Sequence, residues 1–228
     1  MNVYGIKQFV KTQEPIIPLH IAPFIYNRKN KKKLYQIFNS SEEKPTGQKR
    51  WDKQFVISHE EWSRINKNAF YITKDTKLQW LQYRINHKIL ATNSLLSKMK
   101  VINNDLCTFC AKEKETIEHV LYDCKNVTLF FNNVQSWFMD NFSLRIVVDK
   151  KTFLLGCSDI EMINLINYHI KHFIYCCKCR GKPLMLNNFV ATWTNVYKVE
   201  RHLAYKNNYV EKFERKWNVF HKLRDPLT

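Results

Sequence analysis

From Trp51 onward, apolar residues recur at the three-and-four spacing of a helix face. His59, Glu60, Glu61 and Trp62 open a helix that runs into Phe70. Asp75 stands in N-cap position before a helix over residues 76 to about 90. On it, Leu78, Leu81, Ile85 and Ile89 share one face, while Trp80, Tyr83, Arg84, His87 and Lys88 fall largely on others. A short helix over residues 93–100 follows. Residues 116–142 read as helix, with Val120, Leu121, Phe130, Phe131, Val134, Trp137 and Phe138 as its apolar content. Residues 143–156 read as a loop or strand pair. Two or three helices finish the chain. One covers residues 159–180, stopped by Gly181 and Pro183, and the next runs from residue 187 to 205. The last helical stretch carries a stripe of Val199, Leu203, Val210, Phe213, Trp217 and Phe220, broken at Lys206, which predicts an antiparallel helix contact. Before residue 51, Pro15, Pro18, Pro23 and Pro45 interrupt any period. Three segments result: a loosely ordered basic arm over 1–50, a helical region over 51–142 and a basic helical tail domain over 143–228.

Composition supports helices and adds a partner. Hydrophobic residues make up 45% of the 228 and aromatics 14%, which excludes a disordered chain. Only 4 glycines disfavour a turn-rich β fold. Lys and Arg number 37 against 20 Asp and Glu, a net charge of +17. Such an excess predicts attraction to a polyanion, with nucleic acid ahead of an anionic membrane surface. The run Arg28-Lys29-Asn30-Lys31-Lys32-Lys33 reads as a solvated arm, with phosphate contact or nuclear import as functional alternatives. The first twenty residues lack an unbroken apolar run, so no signal peptide is expected. The most apolar stretch, residues 153–177, contains Asp159, Glu161, His169, Lys171 and His172 and reads as a buried helix rather than a membrane span. Seven cysteines in a chain expected to be intracellular, nuclear or cytoplasmic, favour reduced thiols and metal ligation over disulfides.

The strongest chemical signal is Cys107-x2-Cys110-x8-His119-x4-Cys124. Three thiols and an imidazole in closely spaced pairs are the ligand set of a closed, structural Zn2+ site. Four protein ligands leave no open position for water or substrate. On an unbroken helix His119 and Cys124 would point about 140° apart at 100° per residue, so the chain is expected to bend between them near Asp123. Thr116 is a candidate N-cap for the helix bearing His119. The fold expectation is therefore mainly α: a small helical domain with a CCHC zinc knuckle, followed by a helical C-terminal bundle. A second set, His169, His172, Cys176 and Cys179, lies on one helix face. It would spread over about 15 Å at 1.5 Å per residue, too far for one ion.

The run LQWLQYRINHKILATNSLLSKMK followed by CTFCAKEKETIEHVLYDC resembles the C-terminal zinc-binding region of LINE-type (non-LTR) retrotransposon reverse transcriptases. The likeness rests on Leu78 to Ile85, Cys107 and Cys110, Glu115 to His119, and Tyr122 with Cys124. FIYCCKCRGKP (173–183) and AYKNNYVEKFERKW (204–217) resemble the basic tail of the same proteins, so the likeness spans about residues 51–220. It implies a module that grips RNA or DNA beside a reverse transcriptase core. The residues proposed for that grip are Trp80, Tyr83, Arg84, Lys88, Lys98, Lys100, Lys112 and Lys114 near the knuckle, and Lys178, Arg180 and Lys182 on the tail. For Trp80 a core position is the reading expected ahead of a stacking platform. The chain has no Tyr/Phe-x-Asp-Asp pair for two-metal polymerase chemistry, and Asp149 with Glu161 is a poor substitute for a nuclease motif. No enzyme is expected. A structural or protein-docking module for a polymerase, or an inert retroelement remnant, are the alternatives.

Overall fold

The computed structural model describes residues 44–146 and 149–223, with side chains through Phe220. The basic run at 28–33 and the prolines at 15, 18 and 23 lie outside the described residues. The described residues from Pro45 onward form one compact unit. It is mainly helical: the described residues contain no strand, only one antiparallel bridge between Leu106 and Lys114.

Helix α1, Thr46–Asp52, begins inside the segment read as arm. It anchors through Trp51, whose indole N–H donates to the Ile85 carbonyl at 3.1 Å. Gly47 permits this approach, because a Cβ there would lie 2.6 Å from the His87 backbone. Helix α2, His59–Ile72, starts at Ser58, whose hydroxyl accepts from the Glu61 N–H. Helix α3, Thr76–Asn86, is capped as expected by Asp75, which accepts from the Lys77 N–H at 2.8 Å. It ends earlier than residue 90. The Ile89 N–H donates to the Arg84 carbonyl and the Lys88 N–H to that of Ile85, with Lys88 in the left-handed region at φ 55°. That Schellman closure turns Ile89 out to solvent and puts Leu90 in the core instead.

Helix α4, Asn93–Lys98, leads towards the cysteines. Helix α5, Lys125–Phe142, follows them, and buries Val127, Phe130, Val134 and Phe138 along one face. The region read as loop or strand pair contains no strand among its described residues. Its second half is helix α6, Lys150–Leu155, capped by Asp149 and ended by Gly156 at φ 66°. Phe153, Leu154 and Leu155 are buried and Lys150, Lys151 and Thr152 partly exposed, so six residues in two blocks are too few to show a helical period. Helix α7, Glu161–Arg180, stops at Gly181 as expected and is buried on several sides. Its Lys171 is fully buried and donates to Gln82 on α3 and to the Phe153 and Leu154 carbonyls of α6, the latter two at 2.8 and 3.1 Å.

Helices α8, Leu186–Lys206, and α9, Val210–Trp217, form an antiparallel hairpin. Trp193 meets Trp217 at 5.1 Å and Tyr197 meets Phe213 at 5.3 Å between ring centroids. The expected contact is present, but its stripe differs. The chain reverses at Asn208, φ 56°, so α8 presents Phe189, Trp193, Tyr197 and Ala204 while Val199 and Leu203 are exposed. One apolar cluster runs from Trp51 to Phe220, and Phe138 of α5 meets Trp193 at 5.6 Å and Phe220 at 6.0 Å.

Candidate metal centre and nucleic-acid interface

The cysteine pair sits in a narrow loop. The Cys107 N–H donates to the Glu113 carbonyl and the Glu115 N–H to that of Asp105, both at 2.8 Å. The loop turns tightly after Cys107: the Ala111 N–H returns to its carbonyl at 2.8 Å, with Ala111 at φ 50°. Both thiols therefore face one side. The Thr116 hydroxyl accepts from the His119 N–H at 3.1 Å, the cap expected from the sequence. The bend expected before Cys124 is a single π turn, His119–Asp123, closed by the Cys124 N–H on the His119 carbonyl at 2.8 Å. Cys124 itself is extended, at φ −62° and ψ 125°, and α5 begins directly after it.

All four candidate ligand atoms lie within 4.8 Å of one another. The Cys107 and Cys124 sulfurs are 3.8 Å apart, and the Cys110 sulfur is 3.4 Å from His119 Nε2. Tetrahedral Zn2+ with bonds of about 2.3 Å to sulfur and about 2.0 Å to nitrogen requires edges of about 3.8 and 3.5 Å. The donor set therefore fits zinc in both chemistry and size. His119 presents Nε2 to the thiols, while its Nδ1 lies 3.4 Å from Glu113, an outer carboxylate placed to orient the ring. The thiols are unequal. Burial pushes Cys107 up to about 12, with the nearby Cys124 adding to it. Burial also works upward on Cys110, but the Lys112 and Glu113 N–H groups and His119 outweigh it and bring that thiol down to about 6.

Behind the centre lies a residue that motif reading passed over. Glu115 is fully buried. One oxygen accepts from the Asn93 N–H at 2.8 Å, and the other from the Thr108 N–H and hydroxyl, each at 2.7 Å. Lys178 of α7 completes the set, 3.4 Å from Glu115 and donating to the Ala91 carbonyl at 2.9 Å. The cysteine loop is thus pinned to α4 and α7. Glu115 lies inside the motif that carried the resemblance, yet nothing in its spacing distinguishes a buried acid from a surface one.

The residues proposed for nucleic acid separate into two groups. Lys88 is turned inward, paired with Glu118 and standing 3.7 Å over the Trp51 ring. Lys178 is committed to Glu115, and Lys114 pairs with Asp105 at 2.8 Å while remaining exposed. Trp80, Tyr83, Arg84, Lys98, Lys100, Lys112, Arg180 and Lys182 are exposed. The structure brings Trp80, Arg84 and Arg180 together along a groove of about 570 Å3 between α3 and α7, with Lys77 and Tyr175, two residues the sequence reading did not select. The second His/Cys set lies partly there. His172 and Cys176 touch at 3.6 Å, but the described residues assemble three or more His, Cys, Asp or Glu ligands only at the first centre.

The class defined by this geometry is a helical protein stapled by a closed zinc site. Residues 30–130 match the family model described as zinc-binding in reverse transcriptase, an accessory domain rather than the catalytic polymerase domain. The matched span contains all four ligands and Glu115 and ends within α5. No curated protein matches the chain. Among the described residues, no helix is long and apolar enough to cross a membrane.

Proposed function

We propose that this protein is a non-catalytic, intracellular nucleic-acid-binding module that resembles the terminal region of a LINE-type reverse transcriptase. In this reading zinc holds a basic helical surface in shape. The observation that carries it is the fate of the excess charge. Arg84, Lys98, Lys100, Lys112, Arg180 and Lys182 are exposed and have no ion-pair partner among the described residues. Unneutralised cations on a rigid surface bind phosphate by releasing counterions, so affinity falls as salt rises. Titration of labelled RNA and DNA over a salt series tests this. A slope of log affinity on log salt corresponding to several phosphate contacts is expected. An affinity indifferent to salt overturns the proposal.

A second reading, docking on a reverse transcriptase core, has one observation in its favour. Met99, Val101 and Leu106 are exposed apolar residues close to the cysteine loop in the chain. Co-purification with a polymerase core that survives nuclease treatment would favour docking over nucleic-acid binding.

A further inference from the structure

We propose that the groove between α3 and α7 is a binding site for single-stranded nucleic acid, in which Trp80 stacks on an unpaired base while Lys77, Arg84 and Arg180 hold the flanking phosphates. The inference rests on the nucleic-acid reading above and assigns it a place and a substrate class.

Three observations converge on the groove. First, Trp80 is 59% exposed although the core takes in most of the protein's other indoles. Its ring is braced rather than loose: Tyr83 meets it edge-on at 5.6 Å, and Tyr83 in turn packs on His87 at 4.2 Å. An exposed aromatic held by a second aromatic costs little ordering when a base stacks on it. Second, Lys77, Trp80 and Arg84 stand at i, i+3 and i+7 on α3, one helical face, and the C-terminal turn of α7 supplies Arg180 across from them. None of the three cations has an ion-pair partner among the described residues. The nearby carboxylate of Asp75 is occupied in capping α3. Third, the wall between the cations is uncharged. His172 is held below its ordinary value by burial; Asp75 works against this, while Lys77 and Arg180 act with it. Cys176 and Tyr175 complete an apolar, polarisable lining.

This arrangement selects single strands by exposure of the base. Inside a duplex both faces of each base are already stacked, so away from its two ends Trp80 has nothing to cover. A strand with a free base offers a face to the indole and phosphates on either side to the cations. The groove also has a firm wall. Lys178, two residues before Arg180, is clamped to Glu115 behind the zinc centre, so the end of α7 is fixed relative to the cysteine loop.

The experiment uses the full zinc-loaded chain and four probes, a twelve-nucleotide oligo-dT, an oligo-U of the same length, and DNA and RNA duplexes of twelve base pairs, read by fluorescence anisotropy. Single strands are expected to bind more tightly than duplexes. Trp80→Ala is expected to weaken single-strand binding at least about fivefold, the effect of losing one stacked base, with duplex binding unchanged and Trp80→Phe largely restoring affinity. Arg180→Ala is expected to reduce the salt slope for single strands by about one phosphate contact. Circular dichroism and the melting temperature establish that each variant is folded. Salt-dependent binding indifferent to Trp80→Ala, or tighter on duplex, overturns the groove and leaves the broader nucleic-acid reading standing. Binding to none of the four probes overturns both.

Discussion

At the scale of single residues, the metal centre depends on protons as well as geometry. Zinc takes thiolates, so each thiol that is neutral in the free protein must give up its proton on loading. Burial holds Cys107 up to about 12, so it is protonated throughout the physiological range and zinc must displace that proton. Cys110, brought down to about 6, is already largely ionised at neutral pH and regains its proton as pH falls through that value. Zinc affinity is therefore expected to rise with pH, steeply below about 6 where both thiols compete and less steeply above it. Competition with a chelator of known affinity at several pH values measures this. A pH-independent affinity would contradict the ligand assignment.

At the scale of elements, helix ends were legible only where a glycine closes them, and helix starts where an oxygen side chain caps them. Asp75, Thr116 and Gly181 announced themselves because oxygen side chains at N-caps and glycine after a C-terminus are the residues those positions favour. Four other helix ends close with left-handed Lys88, Lys100, Ser143 and Asn208, and none is glycine. With so few glycines, the chain stops helices mostly at residues that carry no stop signal, Asn208 being the exception. This is why α3 ends before its apolar period does and why the Val199 stripe runs through a reversal. The same shortage leaves room for stabilisation. A left-handed L-residue costs about 1–2 kcal/mol relative to a relaxed one, offset in part by the entropy glycine restores to the unfolded chain. Ser143→Gly, at an exposed position, is expected to raise stability by about 0.5–1 kcal/mol in chemical denaturation. Helix α6 was illegible for another reason: its six residues split into three partly exposed and three buried ones in sequence, too short a stretch to show a period. Among the candidate binding residues, charge alone did not separate Lys88 and Lys178, which neutralise internal acids, from the cations left on the surface.

At the scale of the whole molecule, the zinc centre and the apolar core are parts of one structure. Glu115 and Lys178 join the cysteine loop to α7, and removing one partner of a buried pair leaves a charge without compensation. Glu115→Ala is expected to cost about 3–5 kcal/mol, and the double variant Glu115→Leu with Lys178→Met to recover much of that, as read from urea midpoints. Additive losses would show that the two residues act independently. The π turn joins metal and core more tightly still. It takes five steps along the chain from His119 to Cys124, and α5 begins from the second of these ligands, so the metal sets the rotational phase of the helix that follows. Deleting one residue from the turn would rotate α5 by about 100° and swing Phe130, Val134 and Phe138 away from their partners. Such a variant could complete its ligand set or its core, but not both. A stoichiometric zinc content together with a native near-ultraviolet spectrum would show that the two are not geared together. The staple is thus also an index mark: a bound ion reports that the longest helix before the tail has been clocked into register.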